Sequence, residues 1–137
     1  MTARRLAALS LVVVLASVGG CAADDTEPSP SSTPAASSAA PVTADDALSR
    51  IADGASVIDV RTPEEFAAGH LEGATNIDVQ ADDFDDRVGA LPPDEAYVVY
   101  CASGRRATGA VEQMRDLGFT DVVNGGGYDD LRARTTS

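Results

Sequence analysis

From Val42 onward, short β-branched runs alternate with segments whose apolar residues recur at helical spacing. Thr43 is placed to cap a helix from Ala44 to about Ile51, with Leu48 and Ile51 on its apolar side. Ala55–Val60 reads as a buried strand. Thr62-Pro63-Glu64-Glu65 supplies a cap, a proline suited to the first helical position and two acids for the helix N-terminus, opening a helix that ends near Gly69. Ala74–Asp78 predicts another strand, and Asp82–Leu91 an acidic helix stopped by Pro92-Pro93. Tyr97–Tyr100 is the most strand-like run, followed by a helix over Gly104–Leu117 that Gly118 ends. Asp121–Val123 is the last predicted strand, and a short helix follows the Gly125-Gly126-Gly127 turn. Regular alternation of this kind argues an α/β domain with a parallel sheet covered on both faces. Ligands of such sheets bind beyond the carboxyl ends of the strands.

The pattern before Val42 is different. Arg4-Arg5, an apolar run from Leu6 to Val18 and the small residues Gly19-Gly20 before Cys21 are the parts of an export signal over residues 1–20. The apolar run is short for a membrane span, which takes about 20 residues. Small residues ahead of Cys21 resemble a bacterial lipobox, whose cysteine becomes the lipidated N-terminus carrying acyl chains such as palmitate. An ordinary cleaved signal with an incidental cysteine is the other reading, and the residues after Arg5 fit a twin-arginine route poorly. Residues 22–41 hold only Ala, Ser, Thr, Pro, Asp and Glu, too little apolar surface to offset the entropy of ordering, so a disordered tether to residue 41 is expected. The expected organisation is therefore an exported lipoprotein on the extracytoplasmic face of a bacterial membrane, with one folded domain over residues 42–137.

Composition narrows the function classes. With 22 acidic and 10 basic residues, every basic one Arg, the net charge is −12. Such a surface repels nucleic acid, and no basic stripe offsets it. An anionic substrate would need a local basic site set against that field. No cofactor or metal is called for by the pattern of residues, and a monomer is expected. The two cysteines are Cys21 and Cys101. If Cys21 carries lipid, Cys101 has no partner, and a lone thiol in an oxidising compartment invites a chemical explanation.

Both candidate sites fall at strand carboxyl ends. Cys101-Ala102-Ser103-Gly104-Arg105-Arg106 lies between a strand and a helix, where small residues let successive backbone N–H groups point inward as a nest. The helix adds its positive end, and Arg106 closes the ring; all these terms favour a thiolate and would also bind an oxyanion in line with the sulfur. On the loop alone, a small buried hydrophobe at a strand end is the competing reading of Cys101. Asp59-Val60-Arg61 is the second candidate.

Three blocks together, Ile58–Ile77, Val98–Ala107 and Gly125–Leu131, resemble successive motifs of the rhodanese family in order and spacing. The resemblance implies a three-layer domain with a five-stranded parallel sheet. It implies that Cys101 is the catalytic cysteine, which takes a sulfane sulfur as a persulfide and passes it to a nucleophile. Ala102, Ser103, Gly104, Arg105 and Arg106 match the loop around that persulfide, and Arg61 with supporting Asp59 matches a D-x-R block that helps bind anions. Glu65 and His70 match a block taken as structural, a helix terminus and turn packed beneath the site. The implied partners are a small sulfur-containing anion and a thiol or cyanide acceptor. Relatives acting on phosphate or arsenate have one more residue between Cys and Arg than the four here, so the tighter loop favours sulfur. Three positions depart from the family pattern: Ala102 where Arg is frequent, Leu131 for a tryptophan and Asp78 for a proline. Ala102 leaves the entrance less basic and keeps a second reading open, a non-turnover sulfur carrier or redox-sensing module docked to a membrane partner.

Overall fold

A computed structural model describes residues 38–136. The expected signal, Cys21 and the tether up to residue 37 lie outside the described residues. The elements run α1 (Ala44–Ala52), β1 (Ser56–Asp59), α2 (Pro63–Ala68), β2 (Thr75–Asn76), α3 (Phe84–Gly89), β3 (Ala96–Cys101), α4 (Arg105–Asp116), β4 (Asp121–Gly127) and α5 (Tyr128–Thr135). Local chemistry accounts for the starts. The Thr43 hydroxyl accepts the Asp46 N–H at 3.1 Å. Thr62 and Glu65 form a reciprocal capping box with Pro63 in the first turn.

Among the described residues the strands form a parallel sheet in the order β2-β1-β3-β4. Alternation along β3 sends Tyr97, Val99 and Cys101 to one face, where they meet Phe84, Val88, Ala107, Ala110, Val111 and Met114 from α3 and α4. Val98 and Tyr100 point the other way, onto Ala47 of α1 and Leu131 of α5. The period of two along a strand therefore fixes which helix layer Cys101 belongs to.

The expected fifth strand is absent from the described residues: one parallel bridge between Pro41 and Asn124 stands at the β4 edge, where it would lie. Pro41 has no N–H to extend a ladder, so pairing stops after Val42 N–H donates to the Asn124 carbonyl at 2.9 Å. The end of the polar segment read as a tether is docked, with Ala39 packed against the core. The last strand is longer than expected. It runs through the glycine triplet to Gly127, with the β3 register slipping so that Val99 faces Asn124 and Tyr100 faces Gly126. Gly125 is the extra residue of this bulge, and a Cβ there would come 2.7 Å from Val98 Cγ1. The glycines taken for a turn serve instead as a bare strand in close contact with its neighbour.

Candidate active site

β3 carries Cys101 to the carboxyl edge of the sheet, fully buried, and the chain turns at once into α4. The turn depends on Gly104, at φ +84°, in the left-handed region that favours glycine. A Cβ at this position would also press on Pro41 Cγ at 3.2 Å and Gly126 Cα at 3.3 Å. The turn aims the Gly104 N–H at Cys101 Sγ, 3.1 Å away. Gly104 is the α4 cap and brings no capping side chain, and the first turn carries no acid. The positive helix end is thus left to whatever the loop encloses. Ala102, Ser103 and Arg105 are exposed around it.

Arg106, in the first turn of α4, is bound end-on by Glu65: Nη1 donates to Oε2 and Nη2 to Oε1, each at 2.8 Å. Its guanidinium is held more basic than usual, chiefly by the Glu65 hydrogen bonds and with a smaller contribution from Cys101. Arg106 thus pairs with Glu65 at the end of the loop that Cys101 begins. The Glu65 carboxyl is pulled down to about 2, first by Arg106 and then by the Thr62 N–H, against the effect of burial. Glu65, which the sequence placed in a structural block beneath the site, also pairs with Arg106. The contact spans 41 positions of sequence, so no local pattern carried it.

The D-x-R block folds back on itself at the end of β1. Arg61 Nε and Nη2 bond both Asp59 carboxylate oxygens at 2.7 to 3.1 Å, and Nη2 also donates to the Gly69 carbonyl at 2.7 Å. The guanidinium lies 4.3 Å from the Tyr128 ring centroid. Arg61 is 5 % exposed, and its Nε and Nη2 brace the fold around the site that the sequence expected it to help form. Asp59 raises the Arg61 pKa, mainly through these hydrogen bonds. Beneath them Tyr100 OH accepts the Leu71 N–H at 3.1 Å. Burial first, and Asp59 second, hold that phenol un-ionised. His70 is exposed, stacks on Phe66 at 3.8 Å and shares a 3.0 Å hydrogen bond with the Phe66 carbonyl, as a turn residue would.

Asn124 was not foreseen at all. Fully buried, its Nδ2 lies 3.0 Å from the Gly104 carbonyl, 3.0 Å from Thr108 Oγ1 and 3.1 Å from the Ala39 carbonyl. Its Oδ1 accepts the Gly126 N–H at 2.9 Å. One amide thus ties the loop, the start of α4, the β4 bulge and the incoming chain. A polar residue ending the β-branched run Asp121–Val123 was the available signal.

A groove of about 580 Å³ opens on the α1–α5 side, lined by Leu48, Ile51, His70, Tyr128 and Arg132 among others. It belongs to the layer opposite Cys101. Among the described residues no three His, Cys, Asp or Glu side chains converge as metal ligands. What the loop offers chemically is a sulfur atom with one backbone N–H directed at it, beside the N-terminus of α4.

The family model for the rhodanese-like domain matches residues 43–133. The chain is 37% identical over 76 residues to the thiosulfate sulfurtransferase PspE of Escherichia coli, covering 54% of this chain and 71% of that protein. Among solved structures, the human single-domain sulfurtransferase TSTD1 superimposes with a TM-score of 0.56 at 30% identity, over 69% of this chain and 96% of that one. The rhodanese-like domain of the Anabaena Alr3790 protein gives a TM-score of 0.60 at 27% identity, over 69% of this chain and 74% of that one.

Proposed function

We propose that this chain, which belongs to the rhodanese-like domain family, transfers a sulfane sulfur through a persulfide on Cys101. With thiosulfate as donor, the Cys101 thiolate attacks the outer sulfur. The new S–S bond to Cys101 forms as the bond to the sulfonate sulfur breaks, and sulfite leaves with that electron pair. The persulfide keeps one negative charge on its terminal sulfur. A nucleophile such as cyanide or a thiolate then takes that sulfur, and the electron pair returns to Cys101 as thiolate. No base is required, because Cys101 starts and ends as the thiolate and neither step moves a proton.

The observation that carries this reading is the Gly104 N–H directed at Cys101 Sγ from 3.1 Å in a loop only four residues longer than its two functional ends. Preorganised N–H donors stabilise charge that develops on the attacked sulfur at little reorganisation cost. The four-residue span encloses a terminal sulfur more readily than a tetrahedral phosphoryl group. The thiosulfate sulfurtransferase named among its relatives supports the same donor class.

We extend the proposal to location on the sequence alone: Cys21 carries the lipid and residues 22–41 link it to the domain outside the cytoplasmic membrane. Mass spectrometry of the full chain after incubation with thiosulfate is expected to find a one-sulfur adduct mapped to Cys101 and abolished in Cys101→Ser. An adduct surviving in that variant sinks the reading. Adduct formation without turnover on any small acceptor would select the carrier role over the enzyme.

A further inference from the structure

Glu65 makes more bonds than a helix cap needs. Its Oε2 accepts the Thr62 N–H at 3.3 Å, as the capping box requires, yet both its oxygens also take the Arg106 terminal nitrogens at 2.8 Å. An end-on bidentate pair fixes the plane of a guanidinium as well as its position. Because Arg106 lies in the first turn of α4, directly after the loop that Cys101 opens, fixing that plane fixes what borders the loop. The pair also has no net charge. An anion entering the loop encounters backbone N–H groups, the α4 N-terminus and the exposed Arg105, but an Arg106 whose charge is already matched.

We propose that Glu65 is a positioning residue that holds Arg106 at the end of the Cys101 loop and cancels its charge, so that the loop favours a monoanionic persulfide over a dianionic oxyanion. The proposal rests on the sulfur-transfer reading and adds to it the site's charge selectivity. An unmatched arginine would hold sulfite after the S–S bond breaks and would draw in sulfate as a competitor. The matched one leaves the persulfide, which bears a single charge, to the short-range N–H donors of the loop.

The test compares the full chain with its Glu65→Gln, Arg106→Gln and doubly substituted forms. Glutamine can still close the capping box, so the helix start is retained. Three measurements are needed: steady-state transfer from thiosulfate to cyanide, calorimetric binding of sulfate and the thermal midpoint. Glu65→Gln is expected to lower kcat on the order of tenfold, through the misaimed guanidinium, while KM for thiosulfate stays level or falls. Sulfate should bind more tightly, by roughly fivefold, once the carboxylate charge is gone. Adding Glu65→Gln to Arg106→Gln should lower kcat no further, since Glu65 aims the chemistry only through Arg106. A raised KM with weaker sulfate binding, or a further loss in the double variant, overturns the proposal and leaves Glu65 a cap. Failure of the unsubstituted chain to form a persulfide would instead remove the sulfur-transfer reading, and the sulfate comparison would still decide the charge role of Glu65.

Discussion

The Asp59–Arg61 pair is sealed inside the domain, its side chains 0% and 6% exposed, whereas the Glu65–Arg106 pair keeps 36% and 25% of its side-chain surface beside the Cys101 loop. Both join a carboxylate to a guanidinium through short hydrogen bonds, at 2.7 and 2.8 Å. Burial separates their uses. A buried pair cannot open without stranding a charge, so it is committed to one arrangement. A pair in partial contact with water gives up little when its geometry changes, and it can answer to an anion arriving next to it. From two carboxylates six positions apart, Asp59 of β1 and Glu65 of α2, the chain therefore builds one ion pair that holds the fold and one that can adjust chemistry.

The largest effect should come from breaking the sealed pair. Arg61→Ala leaves the Asp59 carboxylate buried with the backbone N–H of residue 61 as a remaining donor, strips the Gly69 carbonyl of a partner and bares the Tyr128 ring. The expected cost is about 3–5 kcal/mol in urea denaturation, the range for removing one partner of a buried pair. A loss below about 1 kcal/mol would mean that the pair behaves as a surface one, and the contrast would collapse.

Asn124→Ala should come next, because it touches neither pair but unties the loop between them. The Gly104 and Ala39 carbonyls and the Gly126 N–H would each lose a bond. A buried polar group left unpaired costs about 1–3 kcal/mol, and water entering at the partly buried Ala39 side should keep the total within that range. Adduct formation at Cys101 should slow as well, since Gly104 carries the N–H that faces the sulfur. Normal kinetics in a destabilised variant would show that the loop holds its shape without the amide.

What the sequence made legible follows from how local each signal was. Thr43 and Thr62 were readable as caps because the N–H groups they accept lie three residues on. The strand-like run Tyr97–Tyr100 put Cys101 at a strand end next to a glycine turn. The misreadings share a cause in contacts that close over long sequence separations. Glu65 meets Arg106 across 41 positions and Asn124 meets Ala39 across 85, so neither could be paired from neighbouring residues. Arg61 was placed at the right strand end, but its motif is the same whether the guanidinium faces solvent or is folded back on Asp59. The glycine triplet read as a turn because glycine permits turns, while here its lack of a Cβ lets β4 pass close to Val98.

The smallest effect tests the open pair by pH. The Glu65 carboxyl lies at about 2 in the folded chain, against an ordinary value of 4.5, with Arg106 the main cause. A carboxyl depressed on folding contributes stability that is complete above its unfolded value and is lost as pH falls toward its folded one. The stability difference between the unsubstituted chain and Glu65→Gln should therefore be positive near neutrality. It should shrink as pH drops through the window from 4.5 to about 2. Solvent screening of so exposed a pair keeps that difference under about 1 kcal/mol at neutral pH, and added salt should reduce it further. Other carboxylates titrate in the same window, but they are common to both proteins and cancel in the difference. Urea midpoints for the two forms at about pH 7 and about pH 3 are sufficient to see the sign. A difference that persists unchanged at the lower pH would assign the role of Glu65 to packing. The two ion pairs would then differ in depth alone and not in what each can do.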